Sequence, residues 1–139
     1  MKLKHHPLCF AVDRPYRSGR PLNRTNNMHY VYDAVGHLLG EYTSTGSAIQ
    51  ETIYLGDTPI VMVSASNQVH YIYTDHLNTP REIRNHANQI RWTWYPEQSG
   101  AFGDGQPNDN PNNAVGGQLG TFTYNLRFPG QLYDAARAP

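Results

Sequence analysis

Tyr71-Ile72-Tyr73-Thr74-Asp75-His76-Leu77-Asn78-Thr79-Pro80-Arg81 decides the fold, and Tyr30-Val31-Tyr32-Asp33-Ala34-Val35-Gly36-His37-Leu38 is its partial copy. Each stretch begins with two tyrosines one residue apart, runs into an aspartate and then turns. Side chains alternate along a strand, so tyrosines at that spacing share one face. The aspartate stands where the strand must end, and its short carboxylate bonds the backbone two residues on to open a turn. Asp33 and Asp75 follow the same lead, which gives them one recurring turn role in place of a catalytic one. A repeated strand-and-turn unit makes the chain a run of similar β elements.

Outward from these stretches the same grammar continues. Leu38, Gly40 and Tyr42 alternate with differently facing neighbours, and Ser44-Thr45-Gly46-Ser47 follows as a turn. Ile49, Glu51, Ile53 and Leu55 share one strand face, and Gln50, Thr52 and Tyr54 the other. Pro59-Ile60-Val61-Met62-Val63 is a short apolar strand, Ser64-Ala65-Ser66-Asn67 a turn, and Val69, Tyr71 and Tyr73 line one face of the return strand. Arg81-Glu82-Ile83-Arg84 leads to Asn85-His86-Ala87-Asn88, after which Ile90, Trp92 and Trp94 line the next strand. Loops of about four residues are ordinary hairpin connections. Tyrosines 32, 54, 73 and 95 recur at a period of about 20, within the range of repeat architectures. The expectation is an all-β fold, an antiparallel β-meander of successive hairpins.

The flanks read differently. Residues 1–27 place Arg14, Arg17, Arg20 and Arg24 among Pro15, Ser18, Gly19 and Pro21 with no apolar period, a basic and flexible lead-in. Residues 28–95 hold the hairpins. Residues 96–120 crowd prolines, glycines and asparagines together and read as loop, a length of irregular chain that is functional or disordered. In 121–139, Phe122, Tyr124, Leu126 and Phe128 alternate as a last strand that Pro129-Gly130 ends.

Composition narrows the function. The 139 residues suffice for one modest domain. Eleven basic side chains balance eleven acidic ones, which argues against a nucleic-acid partner, since such a protein carries a basic stripe. No run approaches the roughly 18 apolar residues of a membrane helix, and the first residues show no signal-peptide core. Cys9 has no second cysteine to pair with and reads as an incidental or buried residue.

No catalytic, metal or cofactor constellation emerges. His5 and His6 are adjacent, so a strand would point them to opposite faces, and no further ligand stands at zinc spacing. Asp104 to Asn110 only superficially resembles a calcium loop, because Asp109 and Val115 occupy the positions that require glycine and glutamate. Asn23-Arg24-Thr25 matches the short glycosylation pattern, which arises often by chance. Nothing brings two of Glu41, Glu51, Asp75, Glu82 and Glu97 together, and no nucleophile sits in a glycine elbow. Arg81, Arg84 and Arg91 beside Trp92 and Trp94 read as the exposed and packed sides of one sheet rather than as a nucleic-acid platform.

Two motifs carry a resemblance. Tyr30-x-Tyr32-Asp33-x-x-Gly36-x-Leu38 is similar to the tyrosine–aspartate (YD) repeat. Tyr71-x-Tyr73-x-Asp75-His76-Leu77-x-Thr79-Pro80-Arg81-Glu82 resembles the block that opens the RHS-repeat-associated core domain, and Leu126-Arg127-Phe128-Pro129-Gly130-Gln131-x-Tyr133-Asp134 resembles the segment that follows it. The resemblance spans about residues 28–134. It implies a β strip belonging to the spiral shell of a polymorphic toxin, which encloses a toxic C-terminal domain and is exported or displayed at the cell surface. It implies as partners other YD/RHS repeats, that toxin and type VI secretion components. The repeat residues it marks are Tyr30, Tyr32, Asp33, Gly36, Tyr71, Tyr73, Asp75, His76, Thr79, Pro80, Arg81, Gly130, Tyr133 and Asp134, all in structural roles. The family's aspartate–proline–x–glycine–leucine self-cleavage motif has no counterpart here: Ala135-Ala136-Arg137-Ala138-Pro139 stands where the pattern would continue. The resemblance therefore implies a truncated, non-catalytic piece of such a shell. Competing readings are a carbohydrate- or cell-surface-binding module using rows of tyrosine and tryptophan, and a remnant of the self-cleaving core. A short open meander also exposes strand edges, so self-association is expected.

Overall fold

The computed structural model of the protein describes residues 28–100, 105–112, 119–129 and 131–133. The readings on Cys9, on the basic lead-in over 1–27, on Gly130 and on Asp134 lie outside the described residues.

Seven strands form one antiparallel sheet in sequence order: β1 (His29–Tyr32), β2 (Leu38–Tyr42), β3 (Ala48–Leu55), β4 (Thr58–Ser64), β5 (Val69–Thr74), β6 (Pro80–Asn85) and β7 (Ile90–Thr93). A short helix, α1 (Pro96–Ser99), follows. The all-β meander of successive hairpins is thus observed, and among the described residues no helix is long and apolar enough to cross a membrane. Each strand is only four to eight residues long, so the polypeptide reverses often and every reversal needs a residue type that can make it.

Alternation sorts the side chains onto two unlike faces. Inward point Leu38, Met62, Ile72, Ile83, Trp92 and Trp94, which form the core with Phe122, Tyr124 and Leu126. Outward point Ile53, Leu55, Val69, Tyr71 and Tyr73, all exposed. In cross-strand register Ile53 faces Val61, which faces Tyr71, which faces Arg84, a continuous row across four strands. The inner face is not uniformly apolar: Gln50, Thr52 and His70 are buried on it. In β3 the apolar Ile53 and Leu55 therefore face out while the polar set faces in, the reverse of what hydrophobicity alone suggests.

The chain after β7 covers the inner face. The last strand expected over 121–128 pairs with no strand of the sheet. Among the described residues its one ladder contact is an isolated bridge between Leu126 and Leu132. Its alternation survives because burial against the sheet imposes it: the Phe122 ring meets His70 edge-on at 4.7 Å, Tyr124 meets Trp92 at 5.7 Å, and Phe128 tilts against Trp94 at 5.2 Å. The region read as loop, 96–120, contains helix α1, and residues 105–112 close the β7 edge. Thr93 bridges Asn108, Trp94 Nε1 donates to the Gly105 carbonyl at 2.8 Å, and Asn112 Nδ2 donates to the Ile90 carbonyl. Gly105 lies so close to the α1 backbone that a Cβ there would stand 1.6 Å from the Gln98 carbonyl oxygen, so no other residue fits.

Candidate functional site

Five of the six hairpin connections are built alike. They begin at Asp33, Thr43, Ser64, Asp75 and Asn85. In each, the backbone N–H of the first residue donates to the carbonyl four residues on, at 2.9–3.0 Å, and the N–H three residues on donates back to the first carbonyl, at 2.9–3.2 Å. The residue three on is Gly36, Gly46, Asn67, Asn78 or Asn88, every one at positive φ, from 57° to 99°. This is a three-residue loop whose last member adopts the left-handed conformation and bulges the strand. Glycine takes that conformation freely and asparagine at little cost.

The first side chain completes each loop. Asp33 Oδ1 accepts from the N–H of Val35 and His37, at 3.0 and 2.8 Å. Asp75 Oδ1 accepts from Leu77 and Thr79, at 2.9 and 3.0 Å, and Asn85 Oδ1 from Ala87 and Gln89. The hydroxyls of Thr43 and Ser64 accept from Ser47 and Gln68. Only a short side chain with an oxygen at γ or δ reaches its own backbone this way, which is why Asp, Asn, Ser and Thr fill the position. The β3–β4 connection differs: Gly56, at φ 59°, takes the first place of a two-residue loop between Leu55 and Thr58.

The recurring unit is thus the turn, not the tyrosine. The turns at 43, 64 and 85 are evenly spaced along the chain, whereas the tyrosines at 32, 54, 73 and 95 sit in unlike places. Tyr32 and Tyr73 are exposed, Tyr54 stacks on His37, and Tyr95 lies beyond β7 at the start of α1. The expected sharing of a face holds for Tyr71 and Tyr73, but the face is the open one, at 46% and 51% exposure. Tyr30 and Tyr32 are exposed as well.

The Asp75–Arg81 block explains itself residue by residue. Asp75 opens the turn, and His76 and Leu77 form its exposed tip. Asn78 takes positive φ, and its Oδ1 accepts from the Thr58 hydroxyl at 2.8 Å, joining this turn to the neighbouring one. Thr79 and Pro80 are buried where the chain re-enters the sheet, the Thr79 hydroxyl having no partner among the described residues. Arg81 Nε donates to Asp75 Oδ2 at 2.9 Å, and its Nη1 donates to the carbonyl of Trp94 at 2.9 Å and to Ser99 Oγ at 3.3 Å. Burial alone pushes the Asp75 carboxyl up, but the N–H groups of Thr79 and Leu77 and the Arg81 guanidinium outweigh it and hold it below the usual carboxylate range. Arg84 pairs with Glu82, which also accepts from the Tyr95 hydroxyl. Of the three arginines read as flanking one sheet, Arg81 ties the turn to α1, Arg84 lies over the outward Tyr73 ring, and Arg91 over the Phe122 ring.

Beneath the Asp33 turn opens a cleft of about 360 Å³. His37 forms one wall, its ring stacked on Tyr54 at 4.6 Å, with Nδ1 2.8 Å from Asp33 Oδ2 and Nε2 3.2 Å from Asp57 Oδ1. Among the described residues no serine, threonine or cysteine is bonded to His37, and the Asp33–His37–Asp57 line joins two turns. Arg127 forms another wall. It is 7% exposed, with Trp92 and Trp94 each 5.4 Å and Tyr133 4.7 Å from its guanidinium carbon. Its Nη1 donates to the carbonyls of Tyr124 and Leu126. Burial pulls its pKa down to about 10, against the opposing influence of Tyr133 and Tyr124.

No protein-family model matches the sequence, and no curated protein matches it.

The site residues taken from the sequence therefore divide. Asp33, Gly36, Asp75, Thr79, Pro80 and Arg81 build turns, Tyr133 covers Arg127, Tyr71 and Tyr73 lie on the open face, and Tyr30 and Tyr32 stand exposed on the other, opposite Glu41 and Leu38. Tyr32 and Gly36 also line the cleft. Sequence reasoning missed the cleft, the His37–Asp57 pair and a buried polar cluster. In that cluster Glu41, 1% exposed, accepts from Gln50 Nε2 at 2.5 Å and from Asn125 Nδ2 at 3.0 Å. Asn125 lies far along the chain from Glu41, and nothing local advertises the contact. Among the described residues no group of three His, Cys, Asp or Glu is placed to hold a metal ion.

Proposed function

We propose that this chain is a structural, non-catalytic strip of a β shell of the YD/RHS kind, whose task in a full-length parent is to wall in a toxic C-terminal domain. The observation that carries the reading is the recurrence of one turn, hydrogen bond for hydrogen bond, at Asp33, Thr43, Ser64, Asp75 and Asn85. A unit repeated at that fidelity builds a surface by addition, each hairpin burying its neighbour's edge. The two motifs that resemble the YD repeat and the RHS core both coincide with such turns. The polar residues in them are consumed in holding the backbone, which suits a wall better than an active site. The open outer face fits the same role, since Ile53, Leu55, Val69, Tyr71 and Tyr73 are all left exposed on it.

Sedimentation velocity of the isolated chain tests this reading. A strip removed from its shell self-associates with rising concentration through its bare face and its β1 edge. A monomer that melts cooperatively at all concentrations contradicts it.

A further inference from the structure

The structure assigns to His70 the part of an acid-sensitive latch: a proton on its ring unseats the covering segment at Phe122 from the inner face of the sheet. His70 stands in β5 between Met62 of β4 and Asn85 of β6 and is buried, 4% exposed. Its Nδ1 is buried and has no hydrogen-bond partner among the described residues. The ring meets that of Phe122 at 4.7 Å. Arg91 lies over the same Phe122 ring, its guanidinium carbon 5.5 Å from the ring centre, and its Nη2 donates to the Gly120 carbonyl at 3.4 Å. The cover is held at this point by one cation and one imidazole.

A neutral imidazole suits that place and an imidazolium does not. The neutral ring leaves one buried nitrogen without a hydrogen bond, a tolerable cost. The protonated ring makes that nitrogen a charged donor with no acceptor, a far larger one. Burial first, then Arg91 on β7 and His86 in the β6–β7 turn, hold the ring's pKa below its ordinary value. Residues 113–123 carry no ionisable side chain, nor does β4, and Glu82 and Arg84 of β6 stand in register with the outward Tyr73 and Tyr71. With the cover lifted, the ring faces water and takes its proton near the ordinary value of about 6.5. With the cover seated, it does so only at lower pH. The seated form therefore keeps its full advantage above about pH 6.5. Below that it loses about tenfold in population per pH unit, until the seated ring itself titrates.

Hydrogen exchange followed by nuclear magnetic resonance on the full chain tests this, read as protection factors so that the pH dependence of the exchange chemistry cancels. The Phe122 N–H donates to the Asp109 carbonyl at 2.8 Å and reports whether the cover is seated, while the N–H groups of β5 and β6 report the sheet. From about pH 7.5 to about pH 5, Phe122 protection falls about tenfold while that of β5 and β6 holds. The loss follows the titration of the His70 ring, seen at its Cε1–H signal. His70→Leu removes the dependence on pH. If that variant does not fold, the coincidence of ring titration and lost Phe122 protection in the unaltered protein decides alone. Four results overturn the proposal: Phe122 protection indifferent to pH, a loss shared equally by β5 and β6, a loss that does not follow the His70 ring, or an equal loss in His70→Leu.

Discussion

The turn opened by Asp33 and the turn opened by Asp75 share their backbone hydrogen bonds but differ in what the second carboxylate oxygen holds. Asp33 Oδ2 meets the ring of His37, four residues away and within its own loop. Asp75 Oδ2 meets Arg81, which carries the contact onward to the Trp94 carbonyl and to Ser99 in α1. The first turn is closed upon itself apart from the exposed Asp57. The second is fastened to the layer beneath the sheet. One loop design thus serves two ends: reversing the chain, and locking the sheet to what covers it. The difference arises at two matched positions: four residues on stand His37 in the first turn and Thr79 in the second, and six residues on stand Leu39 and Arg81.

The sharpest way to break this contrast is Arg81→Ala. It strands the buried Trp94 carbonyl and the Asp75 carboxylate together, and the expected loss is about 2–4 kcal/mol, within the range for removing one partner of a buried, hydrogen-bonded pair. Urea denaturation reads the loss.

Asp75→Asn comes next. The amide oxygen can still accept from Leu77 and Thr79, so only the bond to Arg81 and its charge are weakened, at a cost of about 1–2 kcal/mol. Asp33→Asn keeps the same backbone bonds and costs less than Asp75→Asn in the same denaturation series. Equal costs would erase the distinction between the two turns.

Acid sharpens the comparison without relying on a folded-state substitution alone. The Asp75 carboxyl is held below its ordinary value in the folded chain, so the unfolded chain binds the proton more readily. The stability it contributes is complete above the unfolded value of about 3.9. It is lost as pH falls from there through the lowered folded value. Asp75→Asn consequently flattens the stability profile below about pH 4, a slope that denaturation at stepped pH measures.

The smallest effect belongs to the left-handed positions. Asn67 sits at φ 57°, and Asn67→Gly changes stability by no more than a few tenths of a kcal/mol, whereas Asn67→Ala costs about 1 kcal/mol. Thermal melts of the two variants side by side check the pair.

The turns that these substitutions probe are legible in the sequence because they are local: Asp33 and Asp75 bond N–H groups two and four residues away. Strand alternation is legible for the same reason, and it places Trp92 with Trp94 and Tyr71 with Tyr73 correctly on common faces. Which face is buried is not. Gln50 and Thr52 face inward although Ile53 and Leu55 are the more apolar set, because the inner face there borders the polar cluster of Glu41, Gln50 and Asn125. Phe122 to Phe128 alternates like a strand, yet its backbone pairs with no sheet strand, since burial against a flat surface imposes the same period as a ladder. The cleft and the enclosure of Arg127 depend on segments brought together only by the completed meander.

The central claim, that these hairpins are a wall built by repetition, is tested most directly by a chimera. Residues 28–95 replace a run of hairpins of equal length in a YD-repeat shell, and electron cryomicroscopy follows the strip through the insert. The account predicts a shell closed across both junctions with its toxin still enclosed. A shell that breaks at the insert, while a control insert of authentic YD hairpins closes, would contradict it.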